Sequence, residues 1–312
     1  MIRKLHRYIY SIGDTHLKLI QTRHYGTKNM IFSVYLRIYG EKFMDILTLC
    51  NKIKLQPQIK TRVFEFAHNF DFNTVDKQLK FFLIYEKMND ARLELQAILG
   101  EDDDNIKILT CMLKASADAY EIYKTKGISD KIYFDTMKCY TRFINETYKM
   151  TGKLYFDRYW WTARQAGCHL FRIGELKYEM KHIDDKIVIG IHIPSDADFS
   201  PCAVDKSLMK AKEFFTEYYP DLANAEYRCH SWLLDNQLKG MLNENSNIIN
   251  FQNRFEIFDE GEIGTDFIEW LYNTESTDYS ALPENTALQR NMKIHLLSGG
   301  VIYNAYGRLK YF

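Results

Sequence analysis

The hydrophobic rhythm of this chain changes at Thr151 and Gly152, and that change limits what it can fold into. From about Lys42 to Lys149 the apolar residues recur at helical spacing. FMDILTLCNKI sets Phe43, Ile46, Leu47, Cys50 and Ile53 three or four apart, and Asn105 to Lys124 does the same with Ile106, Leu109, Leu113 and Tyr120. Each run reads as a helix with one buried face. Downstream, Ile187, Ile189, Ile191 and Ile193 alternate with Val188, Gly190 and His192, the period of a strand with two different faces. A helical region followed by a strand-rich one is an α+β chain, and 312 residues suffice for two cores.

Composition narrows the function classes. Aromatic residues at 15% and hydrophobic residues at 46% predict order throughout. Forty-one basic residues balance forty-one acidic ones, so overall charge directs the chain neither to nucleic acid nor to an anionic membrane. The six cysteines, at 50, 111, 139, 168, 202 and 229, form no CxxC pair and no zinc-like spacing, which predicts small buried thiols in a reducing compartment, the cytoplasm. Ser11, Gly13, Asp14 and His16 interrupt the first segment before it reaches signal-peptide length, and nothing later approaches the about 20 apolar residues of a membrane span.

Punctuation predicts the order of elements. GEDDDN at 100–105 breaks the helical pattern and places acids at the next helix N-terminus; 127–130 is a second break. The helical region itself shows no catalytic spacing and reads as support or substrate enclosure. Asp157 to Gln165 reads as a helix clustering Trp160, Trp161 and Arg164, and Arg172 to Met180 as a strand. Asp184 and Asp185 then mark a turn before the alternating isoleucines. A helix from Pro201 to Tyr218, a strand from Tyr227 to Leu234, helical segments to Asn253 and strands near Phe255 and Phe267 follow. A helix in LPENTALQRNMKIHLLSGG starts at Asn285 or Thr286 and stops at Gly299, and VIYNAYGRLKYF closes the chain as an edge strand.

Several of these strings are distinctive: DTMKCYTRF, FDRYWWTARQ, LFRIGELKYE, IHIPSDADFSP, YRCHSWLLD, SNIINFQNRF and LPENTALQR. Together they resemble a bacterial family of acyltransferases in which a helical N-terminal domain precedes a domain similar to the GNAT superfamily. The resemblance spans roughly residues 41 to 312. It implies a helical domain at 41–150, a GNAT-like mixed-sheet domain at 151–312, and a 1–40 extension, with Met30 or Met44 as competing start sites. It also implies acyl-CoA as co-substrate, without a metal, and transfer to a small-molecule acceptor bearing an amine. In that fold a central strand splays from its neighbour and its backbone pairs with the pantetheine arm, while the next helix N-terminus receives the diphosphate. The matching positions are Gly190, Ile191 and Ile193, then Ser200 ahead of Pro201.

Two departures stand against this. The usual glycine-containing phosphate loop is replaced by Pro194 to Ser200, whose Asp196 and Asp198 repel a diphosphate unless cations offset them. Phe251 stands about where many such enzymes place a tyrosine that protonates the thiolate. Both favour a second reading, a non-enzymatic ligand-binding module that keeps the GNAT shape and has lost CoA binding.

His230 and His192 are the candidate general bases, because imidazole titrates in the range that amine deprotonation needs. His230 ranks first, since its strand would line the opening; for either, the alternative is a structural histidine. Asp196 and Asp198 are candidates to hold the acceptor's ammonium or, otherwise, turn and capping residues. Trp160 and Arg164 are candidates for substrate contact, the paired tryptophans reading equally as a packing junction. Cys229 beside His230 points to the opposite strand face, against a Cys/His nucleophile. A metal site of His192, Asp196, Asp198 and His230 lacks a supporting spacing.

Overall fold

The computed structural model describes the backbone of residues 6–12 and 15–21 together with residues 44–310. Two units emerge, Met1–Met44 and Asp45–Phe312. In the first, β1 (His6–Ile12) and β2 (Thr15–Gln21) pair as an antiparallel hairpin. The rest of the 1–40 extension, with the alternative start at Met30, lies outside the described residues.

The second unit opens with α1 (Ile46–Lys52), α2 (Pro57–Asn69), α3 (Asp76–Phe81), α4 (Met88–Leu99), α5 (Ile106–Lys126), α6 (Asp130–Met137), α7 (Cys139–Thr151) and α8 (Tyr159–Ala166). α5 is the hub, burying residues on every face from Ile106 to Tyr123. Its start is held by the acidic break: Asp102 accepts from the amides of Lys107 (3.1 Å) and Ile108 (2.9 Å), relieving orphan donors at the positive dipole end. It stops at Gly127, whose left-handed φ of 79° lets the amide of Ile128 return to the Tyr123 carbonyl.

The remaining elements are β3 (Leu170–Ile173), β4 (Leu176–Ile183), β5 (Lys186–His192), α9 (Pro201–Tyr218), β6 (Tyr227–Ser231), α10 (Asn247–Gln252), β7 (Phe255–Ile263), α11 (Asp266–Tyr272), α12 (Ala287–Leu297) and β8 (Tyr303–Leu309). One six-stranded mixed sheet results, in the order β3-β4-β5-β6-β8-β7. Every neighbouring pair is antiparallel except β5 and β6. α9 covers one face with Val204, Leu208, Ala211 and Phe215, a helical stripe over a buried set that includes Phe171, Tyr178, Ile189, Ile191 and Cys229.

Four expectations change. The predicted strand Arg172–Met180 is the hairpin β3–β4, turned at Gly174 with φ 64° and seated on Ser207 of α9, whose hydroxyl accepts from the Leu176 amide at 3.1 Å. Phe267 belongs to α11, where it and Ile268 are buried in a helix too short to show a full period. β6 ends at Ser231, whose hydroxyl accepts from the Leu233 amide and starts a 3₁₀ turn at Trp232–Leu234. β8 is interior. The edge beside it is β7, which carries Glu256, Asp259, Glu260 and Glu262 and shifts register twice, features that keep an edge from pairing with another chain.

Candidate active site

Cross-strand register puts Lys177, Glu179, Gly190, His192, Arg228, His230, Tyr306 and Arg308 on the sheet face opposite α9. The β5–β6 ladder has only three pairs and ends at Ile191 and Cys229. His192 and His230 are therefore the first residues beyond the pairing, one on each lip of the opening. Gly190 and Ile191, expected to offer backbone to a ligand, are still paired to β6. The first strand position free of β6 is His192, followed by Ile193.

The two histidines meet different surroundings. His192 Nε2 lies 2.7 Å from Glu179 Oε2, and because a carboxylate only accepts, Nε2 carries the proton. Its Nδ1 has no hydrogen bond among the described residues, so the lone pair sits there. The contact is diagonal, since Lys177 is the register partner of His192 and Gly190 that of Glu179. Gly190 is the floor that the imidazole crosses: a Cβ there would stand 3.5 Å from His192 Nε2, in van der Waals contact with it. Trp161 packs edge-on against the imidazole at 4.9 Å.

Glu179 is 1% exposed. Burial alone pushes its carboxyl up, but the His192 hydrogen bond, with the nearby charges of His192 and Arg164, holds it down to about 2. Arg164 Nε donates to Oε1 at 3.0 Å, its guanidinium lying 4.5 Å over the Trp161 ring. Burial depresses His192 below the ordinary histidine range, against the opposing pull of Glu179, and leaves it neutral at neutral pH.

His230 lies flat against Tyr306, 3.8 Å between ring centres and 8° between planes. Its Nε2 is 3.2 Å from Glu262 Oε1 in a geometry that is not a hydrogen bond, and Glu262 is 56% exposed. Among the described residues no hydrogen bond or ring contact joins His230 to His192. Cys229 points to the other face, where burial pushes its thiol up to about 12, far from a working nucleophile.

The acidic loop is already engaged. Asp196 accepts from Arg172 (2.5 Å) and Arg142 (3.2 Å), and Ser195 donates to Glu146, so the segment after β5 is latched to α7. Two guanidiniums thus supply the cations that the acidic loop needs if its charge is to be offset. Asp198 accepts from the Ser200 amide at 2.9 Å, forming a turn ahead of α9, while its own amide donates to Glu175. The start of α9 borders a cavity of ≈ 260 Å³ that is lined by Ser200, Cys202, Lys206 and Lys210 among others. Trp160 is 50% exposed beside Trp161, and Arg164 is committed to Glu179. Phe251 packs between Phe199 and Phe255 in the core. Among the described residues no group of three or more His, Cys, Asp or Glu is placed to hold a metal ion, and no helix is long and apolar enough to cross a membrane.

Residues 44–168 match the model of the N-acyltransferase N-terminal domain, and residues 170–309 match that of the GNAT-like C-terminal domain. The chain belongs to this two-domain acyltransferase family. Its two models meet between α8 and β3, so the helix with Trp161 and Arg164 falls in the N-terminal domain. An acyltransferase solved with decanoyl-CoA and teicoplanin shares the fold at a TM-score of 0.69 and 19% identity, over 90% of this chain and 96% of that one. An acyltransferase mutant solved with octanoyl-CoA gives 0.71 at 19% identity, over 90% and 96%. No curated protein matches the chain in sequence.

Glu179 was not among the sequence candidates. A carboxylate between Tyr178 and Met180 in a strand looks like a solvent-facing residue, and only its alternation with Lys177 and Lys181 hints at a polar face that something else must cover.

Proposed function

We propose that this chain transfers an acyl group from acyl-CoA to the amine of a small acceptor, with His192 as general base. The observation that carries the reading is the His192–Glu179 pair at the open end of β5: a neutral imidazole whose Nε2–H is held by a buried carboxylate and whose Nδ1 is free to accept. Pantetheine would pair with backbone at His192 and Ile193, and the diphosphate would lie toward Ser200, with Lys206 and Lys210 near it. That solved relatives of this fold hold decanoyl-CoA or octanoyl-CoA supports the co-substrate.

The amine nitrogen attacks the thioester carbon, forming the C–N bond, and His192 Nδ1 takes the proton that nitrogen must lose. Glu179 stabilises the resulting imidazolium. The C–S bond then breaks. With Phe251 in place of a phenol, the same proton is available to the departing thiolate from His192, so one proton moves from nitrogen to sulfur and the base is regenerated. His230, on the other lip, is placed to meet the acceptor rather than to take its proton.

The test is calorimetry with acyl-CoAs of increasing chain length, followed by thiol release in the presence of an amine panel. Binding plus thiol release that is lost in His192→Ala is expected. Acyl-CoA binding without turnover by any amine would overturn the transfer step, and no binding by a folded protein would favour the ligand-binding module instead.

A further inference from the structure

We infer that Tyr85, from the turn between α3 and α4, is a positioning residue of the reaction site: with Arg164 it clamps Glu179 in the one orientation that holds His192 as a base. This rests on the acyl-transfer reading above. Glu179 has two oxygens with separate tasks. Oε2 receives His192; Oε1 receives Arg164 Nε at 3.0 Å and the Tyr85 hydroxyl at 3.4 Å. A carboxylate with one oxygen free can turn about its last bond and release its partner. Two donors on Oε1, from two different elements of the helical region, remove that freedom.

Tyr85 is itself fixed. Its ring stacks on His182 (4.4 Å, 15°) and stands edge-on to His169 (5.4 Å, 89°). Glu86 Oε1 is 2.6 Å from His182 Nδ1, and the Phe82 carbonyl is 2.8 Å from His169 Nε2. The seat is tight enough to require glycine at 167, where a Cβ would come within 2.0 Å of the Phe82 carbonyl oxygen. A phenylalanine ring would satisfy all this packing. The tyrosine adds the hydroxyl directed at the carboxylate.

The charged and titratable groups around His192 are Glu179, Lys177 and Lys181 on β4, Arg164 on α8 and His230 across the opening, with Tyr85 acting through Glu179. Removing a donor from Glu179 Oε1 leaves more charge for the imidazolium, so the titration midpoint of His192 must rise. The experiment is NMR titration of imidazole-labelled protein, paired with single-turnover rates. Tyr85→Phe should raise the His192 midpoint by about half a pH unit and Arg164→Gln by about one. Arg164→Lys should restore part of the shift, and the dispersion of the backbone amide spectrum should stay put as a check on folding. Turnover in Tyr85→Phe should fall ~3- to 10-fold with KM for acyl-CoA unchanged. An unmoved His192 midpoint in Tyr85→Phe overturns the role of Tyr85 whatever the rate does. A shifted midpoint together with full turnover in His192→Gln keeps the clamp and instead overturns His192 as the general base of the acyl-transfer reading.

Discussion

The two lips of the sheet opening carry the same residue and give it opposite circumstances. On the β5 side, α8 and the Tyr85 turn cover the polar face, so Glu179 is almost wholly buried and His192 is oriented by it. On the β6 side His230 rests on Tyr306, and the carboxylate near it is mostly in water. A buried carboxylate fixes tautomer and direction because the low local dielectric strengthens the hydrogen bond; an exposed one does neither, since solvent competes for the carboxylate. Strand position alone therefore does not make a base. What covers the strand does.

The strongest way to break this comparison is to exchange the histidines for alanine. His192→Ala should reduce the single-turnover rate ~10²- to 10⁴-fold with acyl-CoA affinity little changed, whereas His230→Ala should cost less than ~10-fold. The reverse ranking would show that the open lip holds the base. Glu179→Gln comes next, with a rate loss of ~10- to 100-fold and a destabilisation of about 2 kcal/mol, because the partly buried Arg164 loses the carboxylate it pairs with. Urea denaturation and turnover on the same preparation separate the two effects.

Dryness on the covered lip also has a cost, which Lys177 exposes. It is 4% exposed, makes no hydrogen bond or ion pair among the described residues, and lies 5.0 Å from the Phe143 ring; burial, reinforced by Arg142, depresses its ammonium to about 7. Between that value and the ordinary lysine range the unfolded chain binds a proton that the folded one does not, so stability rises with pH across this window. Lys177→Met should thus stabilise the protein by about 2 kcal/mol at pH 7, and the gain should shrink toward pH 10. A destabilised Lys177→Met at pH 7 would mean that the ammonium has a partner in the folded protein.

His192 and Glu179 predict the acid side. The depressed histidine protonates first in the unfolded chain, so its contribution is present above about pH 6.5 and is lost as pH falls below it; the contribution of Glu179 is lost only below about pH 4.5, toward its folded value of about 2. His192→Gln should flatten the upper part of this profile in thermal melts and leave the lower part in place. The smallest effect is expected for Glu262→Gln, within about 0.5 kcal/mol and without a change in turnover, because the Glu262 carboxylate is mostly in water. A larger loss would mean that the open lip is more structured than its solvent exposure indicates.

Local pattern determined much of this protein. The helical spacing of α5, the alternation along β5, the Ser200–Pro201 start of α9 and the Thr286 capping box of α12 are encoded within a few residues, because capping and amphipathicity depend on near neighbours. Both histidines were also legible as candidates from strand alternation. The distinctive strings pointed to the family, and the two matching domain models established it. Tertiary structure alone decided which side chains work together. Asp196 became a latch because Arg142 and Arg172 come from α7 and β3, 54 and 24 residues away in sequence. Glu179 acquired its importance because Tyr85, Arg164 and His192 reach it from three separate elements. Such meetings are set by long-range packing of the helical region on one half of a sheet face, and no short window of sequence contains both the carboxylate and what buries it.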